Sequence, residues 1–214
     1  LRRKLLFLCR VRRLILVAVS RLYRHTNSIT TASLLAGWPD RCSPRYAHPM
    51  IPFASMLTQA VAQPPVQRPL EDIAHAAVAA VFTQDGHLLF MQRAEVDGDP
   101  WSGHIAFPGG RAEPEDRDLL ATAIRESAEE LGLDLSAAES LGPLNDVGTV
   151  SATPQMVVRP WVFVLPDRPL VTPNREVASH HWVYFEDLVN DVGRGSFQFD
   201  WKGQHVTLPK VDFP

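Results

Sequence analysis

Three carboxylates, those of Glu126, Glu129 and Glu130, fall within one short segment of the chain. At about 100° per residue on a helix, Glu129 and Glu130 lie about 60° and 40° to either side of Glu126, so the three share one patch. We expect this patch to face away from the apolar stripe of the helix. Clustered carboxylates suit hard cations, above all Mg²⁺, which commonly adds phosphate oxygens of a substrate to its ligands. The cluster therefore indicates phosphate or pyrophosphate chemistry, and a merely solvated acidic face is the alternative.

The helix that must carry these carboxylates is predicted by apolar residues at helical spacing. We expect the acidic run 113–116 to cap its N-terminus and Gly132 to end it. Arg125 lies four residues before Glu129 and can pair with it. The apolar positions are Leu119, Leu120, Ala123, Ile124, Ala128 and Leu131.

Several strands are predicted around this helix. Apolar runs on both sides of Asp85-Gly86 are typical of a β-hairpin, and Pro160 places its strand at an edge or a bulge. Strands and one strong helix together predict an α+β fold. The predicted strands are 76–82, 88–91, 105–107, 157–165, 181–185, 197–201 and 205–208, with a short helix at 186–190.

The run from Gly110 to Leu133 resembles the Nudix box, a long motif that mixes glycines with charged positions. Its second half, Arg125-Glu126-Ser127-Ala128-Glu129-Glu130-Leu131-Gly132-Leu133, matches closely, with Ser127 in place of the usual apolar residue. Its first half is one residue longer than the standard box, with Asp116 (or Glu115) at the acidic position. A box lengthened in this way, directly after Phe107-Pro108-Gly109-Gly110, resembles the coenzyme A pyrophosphatase branch of the Nudix hydrolases.

The resemblance implies a Nudix fold, a mixed β-sheet sandwiched between α-helices, over about residues 73–210. It implies that Glu126, Glu129, Glu130 and the carbonyl of Gly110 ligate Mg²⁺ or Mn²⁺, and that Arg125 orients the carboxylates through a salt bridge. Asp116 becomes a structural partner. The general base is either a glutamate of the box or one from a distant loop.

Four further residues are candidates on the substrate side. The distant-loop base would be Glu176, for which an exposed loop carboxylate is the alternative. Arg93, in a partial second motif of the branch, can bind phosphate bidentately, or it is an exposed strand-end arginine. Gly109 allows a ligand or backbone to approach closely. Trp101 either stacks on a base or caps the sheet.

These features together predict a Mg²⁺-dependent pyrophosphatase. The expected substrate is coenzyme A or an acyl derivative, cleaved to phosphopantetheine and adenosine 3′,5′-bisphosphate. A Nudix hydrolase of another nucleotide, such as ADP-ribose, a dinucleotide or a damaged triphosphate, is the nearest alternative. A noncatalytic nucleotide sensor is a further one, disfavoured because a pure binder would not require the complete Arg125-to-Glu130 set. The expected partner is a small-molecule nucleotide, and a homodimer is compatible with the pattern.

The net charge of −3 divides unevenly along the chain. Residues 1–70 carry +10 and residues 71–214 carry −13, which predicts a basic, disordered N-terminal segment beside a Nudix hydrolase domain. We favour translated upstream sequence with the start at Met50 or Met56 as the origin of the basic segment. An organellar transit peptide within 1–49 and a basic arm are the alternatives. Relatives usually continue into a closing helix, so one expectation is that the given sequence is truncated at the C-terminus of the domain.

The acidic domain contains no cysteine, because Cys9 and Cys42 both lie in the basic segment. A reducing, cytoplasmic compartment is therefore the default expectation. The apolar run 14–19 is too short to span a membrane, and a charge of −13 opposes binding of nucleic acid by the domain. We accordingly expect neither a membrane nor a nucleic-acid partner.

Overall fold

The computed structural model of the chain describes residues 57–58, 61, 65–67, 73–97, 99, 102–148, 156–189, 194–201 and 204–211. The expectations for Trp101 and for residues 1–56 lie outside these described residues. The described strands are β1 (Ala74–Thr83), β2 (His87–Arg93), β3 (Ile105–Ala106), β4 (Gly109–Arg111), β5 (Glu139–Pro143), β6 (Val147–Gly148), β7 (Met156–Leu165), β8 (Val177–Tyr184), β9 (Arg194–Trp201) and β10 (Gln204–Val211). The helices with described bounds are α1 (Leu119–Leu131) and α2 (Phe185–Val189).

Strands β1 to β8 form one mixed sheet in the order β3-β2-β1-β7-β5, in which β4 also pairs with β1, β6 with β7 and β8 with β2. The β1–β7 pairing is parallel and runs over ten residue pairs, whereas the other pairings of this sheet are antiparallel. The hairpin predicted around Asp85-Gly86 is confirmed as β1–β2. The strands predicted at 197–201 and 205–208 are confirmed as parts of β9 and β10, which pair in a separate two-stranded sheet. The α+β class with a mixed sheet is therefore confirmed.

Strand β7 excludes one of the two places expected for Pro160, an edge or a bulge, because the strand lies in the interior of the sheet. It pairs with β1 on one side and with β5 and β6 on the other. Pro160 is tolerated there because the second neighbour is interrupted opposite it, between Pro143 and Val147. At this interruption the Pro160 carbonyl still accepts the amide of Leu144, at 2.8 Å. A proline is therefore accommodated at a local gap in the ladder.

The ends of α1 are set by local side-chain and backbone contacts. Asp118, rather than the expected acidic run 113–116, is the N-cap, and its carboxylate accepts the amide of Ala121 at 2.8 Å. At the other end Gly132 adopts a left-handed conformation with φ of 62° and ends the helix, as predicted. The run 113–116 precedes this cap, so its carboxylates are available for other contacts.

Apolar side chains cover both faces of the sheet. One face packs against α1, and its cluster includes Ala77, Ala79, Leu119, Ala123 and Leu131. The other face is covered by α2, through Phe185 and Leu188, and by Leu57 and Val61. The sheet is thus packed between helical segments. None of the helices in the described part of the chain is long and apolar enough to cross a bilayer.

Leu57 gives a test of this packing. It precedes the expected start of the domain at residue 71, yet it is only 2% exposed and belongs to the core. Replacing Leu57 by Ala should lower the free energy of unfolding by about 2–5 kcal/mol, because it leaves a cavity in the core. Leu170→Ala is the matched control, since Leu170 is 92% exposed and its loss should change stability by less than about 0.5 kcal/mol. Urea denaturation of both variants measures the difference, and equal midpoints would contradict the packing.

Candidate active site

Glu130 lies on the sheet-facing side of α1 and is only 3% exposed. This corrects the expectation that all three carboxylates face away from the apolar stripe. Its Oε2 accepts the backbone amide of Gly109 at 2.9 Å, and its Oε1 lies 3.9 Å from Nη1 of Arg93. The carboxylate is therefore held between the start of β4 and the end of β2.

Burial raises the pKa of Glu130 to about 7. The hydrogen bond from Gly109 and the charge of Arg93 lower the pKa, but they offset the loss of hydration only in part. The nearby carboxylates of Glu126 and Glu176 raise it further by repulsion. A cation beside Glu130 would compensate the carboxylate for its lost hydration and would reduce its repulsion by the neighbouring carboxylates.

Glu126, one helical turn before Glu130, is half-buried beside β4. Its Oε1 accepts a hydrogen bond from Nη1 of Arg125 at 3.0 Å, yet burial still raises the pKa of its carboxyl group. The carboxylate lies against Gly110, where a Cβ atom would overlap it. Gly110 therefore makes the space that the Glu126 carboxylate occupies.

Arg125 connects the helix to the loop before it. Its Nε and Nη2 donate to the two carboxylate oxygens of Asp116, both at 3.0 Å, and Nη2 also donates to the carbonyl of Arg111 at 3.0 Å. The bidentate pairing holds the pKa of Asp116 down to about 2. Nη1 donates to Glu126 and to Glu129, the latter at 3.2 Å. The predicted pairing of Arg125 with Glu129 is therefore present.

Glu129 lies on the exposed side of the helix, with its side chain 56% exposed. It is close enough to Glu126 for its charge to raise the pKa of that carboxyl group. The three carboxylates thus form one row that runs from the buried Glu130 across Glu126 to the solvent.

Two of the predicted substrate-side residues flank the same carboxylates. Arg93 ends β2, and its Nη2 lies 3.5 Å from a carboxylate oxygen of Asp99 in the following loop. Glu176 precedes β8 and is exposed, and its charge acts on Glu130. A backbone hydrogen bond of 2.7 Å from Ala94 to the carbonyl of Glu176 ties the two segments together. The eight predicted site residues other than Trp101, which lies outside the described residues, therefore lie on adjoining elements.

Two features of the site had not been predicted from the sequence. Gly109–Arg111 forms β4, paired with Ala76–Val78 of β1, where only a turn was expected. Asn174, which was assigned no role, donates its amide to the carbonyl of Glu130 at 2.8 Å. The Asn-x-Glu spacing signals only the local turn, in which the Asn174 side chain accepts the amide of Glu176, and not this contact with the helix.

The donor set fits a hard divalent cation. Within the described residues, no three His, Cys, Asp or Glu side chains already converge as a preformed metal centre. Mg²⁺ needs only one or two carboxylates, since it keeps waters and takes substrate oxygens. Glu126 and Glu130 supply that number, they repel each other, and burial raises both pKa values. Gly110, whose carbonyl is the further predicted ligand, lies beside Glu126.

The two glycines give a matched prediction. Gly109 has φ of 154°, and a Cβ there would collide with the backbone of Ala77 and Val78, so Gly109→Ala should lower the free energy of unfolding by about 2–4 kcal/mol. In Gly110→Ala the three atoms nearest the new Cβ all belong to the flexible Glu126 carboxyl group. Its stability should change by less than about 1 kcal/mol, whereas activity should fall about 10- to 100-fold. Thermal unfolding and turnover of both variants check this separation, and an active Gly110→Ala enzyme would contradict it.

The family model of the NUDIX domain matches residues 73–200, which is more than half of the chain. The chain belongs to the Nudix family. A protein from Photorhabdus laumondii described as an uncharacterized Nudix hydrolase, NudL, is 29% identical over 67% of this chain and 82% of its own length. Nudix hydrolase 22, chloroplastic, from Arabidopsis thaliana is 36% identical over 52% of this chain and 37% of its own length.

Some relatives are much longer than the matched region. The chain spans about a third of the Arabidopsis protein and 33% of an uncharacterized Schizosaccharomyces pombe protein. Among solved structures, an Ap4A hydrolase binary complex from C. elegans aligns with 55% of this chain and 85% of its own, at 19% identity and a TM-score of 0.47. The match of the family model confirms the predicted Nudix domain, and the two named relatives are described as Nudix hydrolases, the class that the sequence predicts.

Proposed function

We propose that this protein is a Mg²⁺- or Mn²⁺-dependent Nudix pyrophosphatase that hydrolyses the diphosphate bond of coenzyme A or its acyl derivatives. The products would be phosphopantetheine, or its acyl form, and adenosine 3′,5′-bisphosphate. The observation that carries the hydrolytic part of this proposal is the pair of half-buried and buried carboxylates, Glu126 and Glu130, beside Gly110 and Arg93. A nucleotide diphosphate brings the anionic oxygens that such a site binds through a metal.

The proposed metal ligands are Glu126, Glu129, Glu130 and the carbonyl of Gly110. When bound, the divalent ion would neutralise charge on the diphosphate and lower the pKa of a water molecule. Arg125 keeps the Glu126 and Glu129 carboxylates oriented, because its Nη1 donates to both. Its bidentate contact with Asp116 anchors the guanidinium itself.

Arg93 is proposed to bind the diphosphate. Its Nη1 is 3.9 Å from Glu130 and its Nη2 is 3.5 Å from Asp99, whereas its Nε is buried and makes no hydrogen bond within the described structure. A phosphate oxygen would supply an acceptor of the charge and geometry that a guanidinium prefers. Gly109 is proposed to contribute through its backbone, because its amide holds the Glu130 carboxylate beside Arg93.

Glu176 is proposed as the general base. In the reaction the water oxygen forms a bond to one phosphorus of the diphosphate, and the bond from that phosphorus to the bridging oxygen breaks. The bridging oxygen keeps the electron pair and leaves on the other phosphate, while Glu176 accepts the proton of the water. Support comes from its place beside Glu130, whose pKa it raises, and from its exposure to solvent.

The coenzyme A assignment rests on the lengthened box and on Phe107-Pro108-Gly109-Gly110 before it. One departure favours a second candidate, a Nudix hydrolase of ADP-ribose or a dinucleotide. The upstream motif of the coenzyme A branch has a later arginine, and this chain has Gly98 at about that place. The two candidates share the site chemistry and differ in the group attached to the diphosphate.

A substrate comparison tests the proposal. The full chain with Mg²⁺ is assayed against coenzyme A, ADP-ribose, NADH and a nucleoside triphosphate panel, with products separated by chromatography. We expect coenzyme A to give the highest kcat/KM, with adenosine 3′,5′-bisphosphate as product, and chelation of the metal by EDTA to abolish turnover. A preference for ADP-ribose would overturn the coenzyme A assignment alone, whereas a folded protein that cleaves no diphosphate would overturn the enzymatic proposal.

A further inference from the structure

The loop before β8 is fastened to the C-terminal end of α1. The amides of Thr172 and Asn174 donate to the carbonyls of Leu131 and Glu130, each at 2.8 Å. These carbonyls belong to the last turn of the helix, where C=O groups have no partner inside the helix. The loop therefore takes its position from the same helix that carries the site carboxylates.

Asn174 in turn holds the backbone of Glu176 in place. Its side-chain Oδ1 accepts the amide of Glu176 at 2.7 Å, and its carbonyl accepts the amide of Val177 at 3.2 Å. In such a turn the asparagine side chain stands in for a backbone group two residues away. From the other side, the carbonyl of Glu176 accepts the amide of Ala94, next to Arg93.

We propose that Asn174 is a positioning residue that fixes Glu176 relative to Glu130 through this turn. The inference rests on the proposed role of Glu176 as the base and names the residue on which that role depends. Asparagine suits the place because Oδ1 supplies the acceptor without adding another carboxylate beside Glu130 and Glu176. Alanine lacks the acceptor, while serine keeps an oxygen that forms the same turn more weakly.

Steady-state kinetics of the full chain with coenzyme A and Mg²⁺ give the first test. A base displaced by about 1 Å costs on the order of 100-fold in rate, so Asn174→Ala should lower kcat about 10- to 100-fold and leave KM within about twofold. Asn174→Ser should recover most of the loss, to within about fivefold of the original kcat. Unchanged kcat in Asn174→Ala would overturn the inference.

A double variant separates positioning of Glu176 from a general structural role. Glu176→Gln alone should lower kcat about 100-fold or more, as loss of a general base does. Asn174→Ala added to Glu176→Gln should then cost no more than about a further twofold, because both changes remove the same contribution. An equal loss in both backgrounds would show that Asn174 acts by another route and would overturn the inference.

The outcome for Glu176→Gln alone keeps the two proposals distinguishable. Full activity of that variant would remove Glu176 as the base, and the inference with it. If Glu176→Gln is impaired but Asn174→Ala is not, the base assignment stands and only the positioning role is lost.

Amide hydrogen exchange provides a readout that needs neither metal nor turnover. In EDTA, Asn174→Ala should speed exchange of the Glu176 amide about tenfold, while the amides of Thr172 and residue 174 keep their protection through the helix carbonyls. Asp134→Ala is the matched control, since Asp134 makes the same type of turn with Ser136, at 2.8 Å, outside the site. It should change neither kcat nor the Glu176 amide. An unaltered Glu176 amide in Asn174→Ala would contradict the proposed turn.

Discussion

Replacing Glu130 by Gln is expected to lower kcat/KM about a thousandfold and, at the same time, to make the metal-free protein more stable at pH 8. The loss of activity follows because glutamine cannot supply the negative charge that holds a divalent cation, a contribution of about 4 kcal/mol to the transition state. Glutamine still offers a side-chain oxygen to the Gly109 amide, so the local hydrogen bond of 2.9 Å can be kept.

The gain in stability follows from the pKa of Glu130, which is raised from its ordinary value of 4.5 to about 7 by burial. Between pH 4.5 and about pH 7 the folded chain keeps the proton on Glu130, whereas the unfolded chain has released it. The free energy of unfolding therefore falls as the pH rises through this window, by about 3 kcal/mol in all, and stays low above it. Glutamine carries no such proton, so its advantage should be complete at pH 8 and small at pH 4.5.

Urea denaturation in EDTA at the two pH values measures this effect. Glu129→Gln is the matched control for stability, because Glu129 is the neighbour of Glu130 in the same helix but has a side chain that is 56% exposed. The free energy of unfolding of this variant should change by less than about 0.5 kcal/mol. Added Mg²⁺ should raise the unfolding midpoint of the original protein and not that of Glu130→Gln. A Glu130→Gln protein that is less stable at pH 8, or fully active, would contradict this account of the residue.

Loss of Arg125 is expected to lower folding stability and activity together. Its guanidinium is the bidentate partner of Asp116, whose side chain is only 6% exposed. Arg125→Ala should lower the free energy of unfolding by about 1–3 kcal/mol, because the Asp116 carboxylate loses its bidentate, charged hydrogen-bond partner. Activity should also fall about 10- to 100-fold, since Glu126 and Glu129 lose the group that orients them.

The pH dependence of the Arg125 effect has a definite sign. The pKa of Asp116 is lowered to about 2 in the folded protein from an ordinary 3.8, so the pairing contributes fully above pH 3.8 and is lost as the pH falls toward 2. The difference between Arg125→Ala and the original protein should therefore narrow below pH 4.

Two variants control the Arg125 measurement. Arg117→Ala removes an arginine that is 77% exposed and pairs with Asp118, and it should cost less than about 1 kcal/mol. Adding Asp116→Ala to Arg125→Ala removes the stranded carboxylate and should restore part of the lost stability. A single Arg125→Ala variant as stable as Arg117→Ala would show that the bidentate pair does not anchor the loop.

The local part of the site could be predicted from the sequence, because it depends on spacing along one helix. The pairing of Arg125 with Glu129 and the end of the helix at Gly132 follow from neighbours within four residues. The same helical-wheel angles also indicate that Glu130 is buried, although this was not predicted. Leu119 and Ala123 lie about 20° and 60° from Glu126 on the wheel, on both sides of Glu130 at about 40°. The carboxylate therefore lies within the apolar stripe.

The remaining features depend on contacts between distant segments. The parallel pairing of β1 with β7 joins residues about 80 positions apart, and local periodicity carries no information about such a partner. Pro160 could only be assigned to an edge or a bulge, because the interruption between β5 and β6 that accommodates it is a property of the assembled sheet. Asp116 was expected both to help cap the helix and to be a structural partner, and only the folded loop brings it within 3.0 Å of the Arg125 guanidinium.

The central claim is that Glu126 and Glu130 form the metal-dependent hydrolytic site of a nucleoside diphosphate pyrophosphatase. Its most direct test is turnover of coenzyme A by equal concentrations of folded wild-type and Glu130→Gln protein with saturating Mg²⁺, followed by release of adenosine 3′,5′-bisphosphate. The account predicts cleavage by the wild type and a rate about a thousandfold lower in the variant. Equal rates in the two proteins would contradict it.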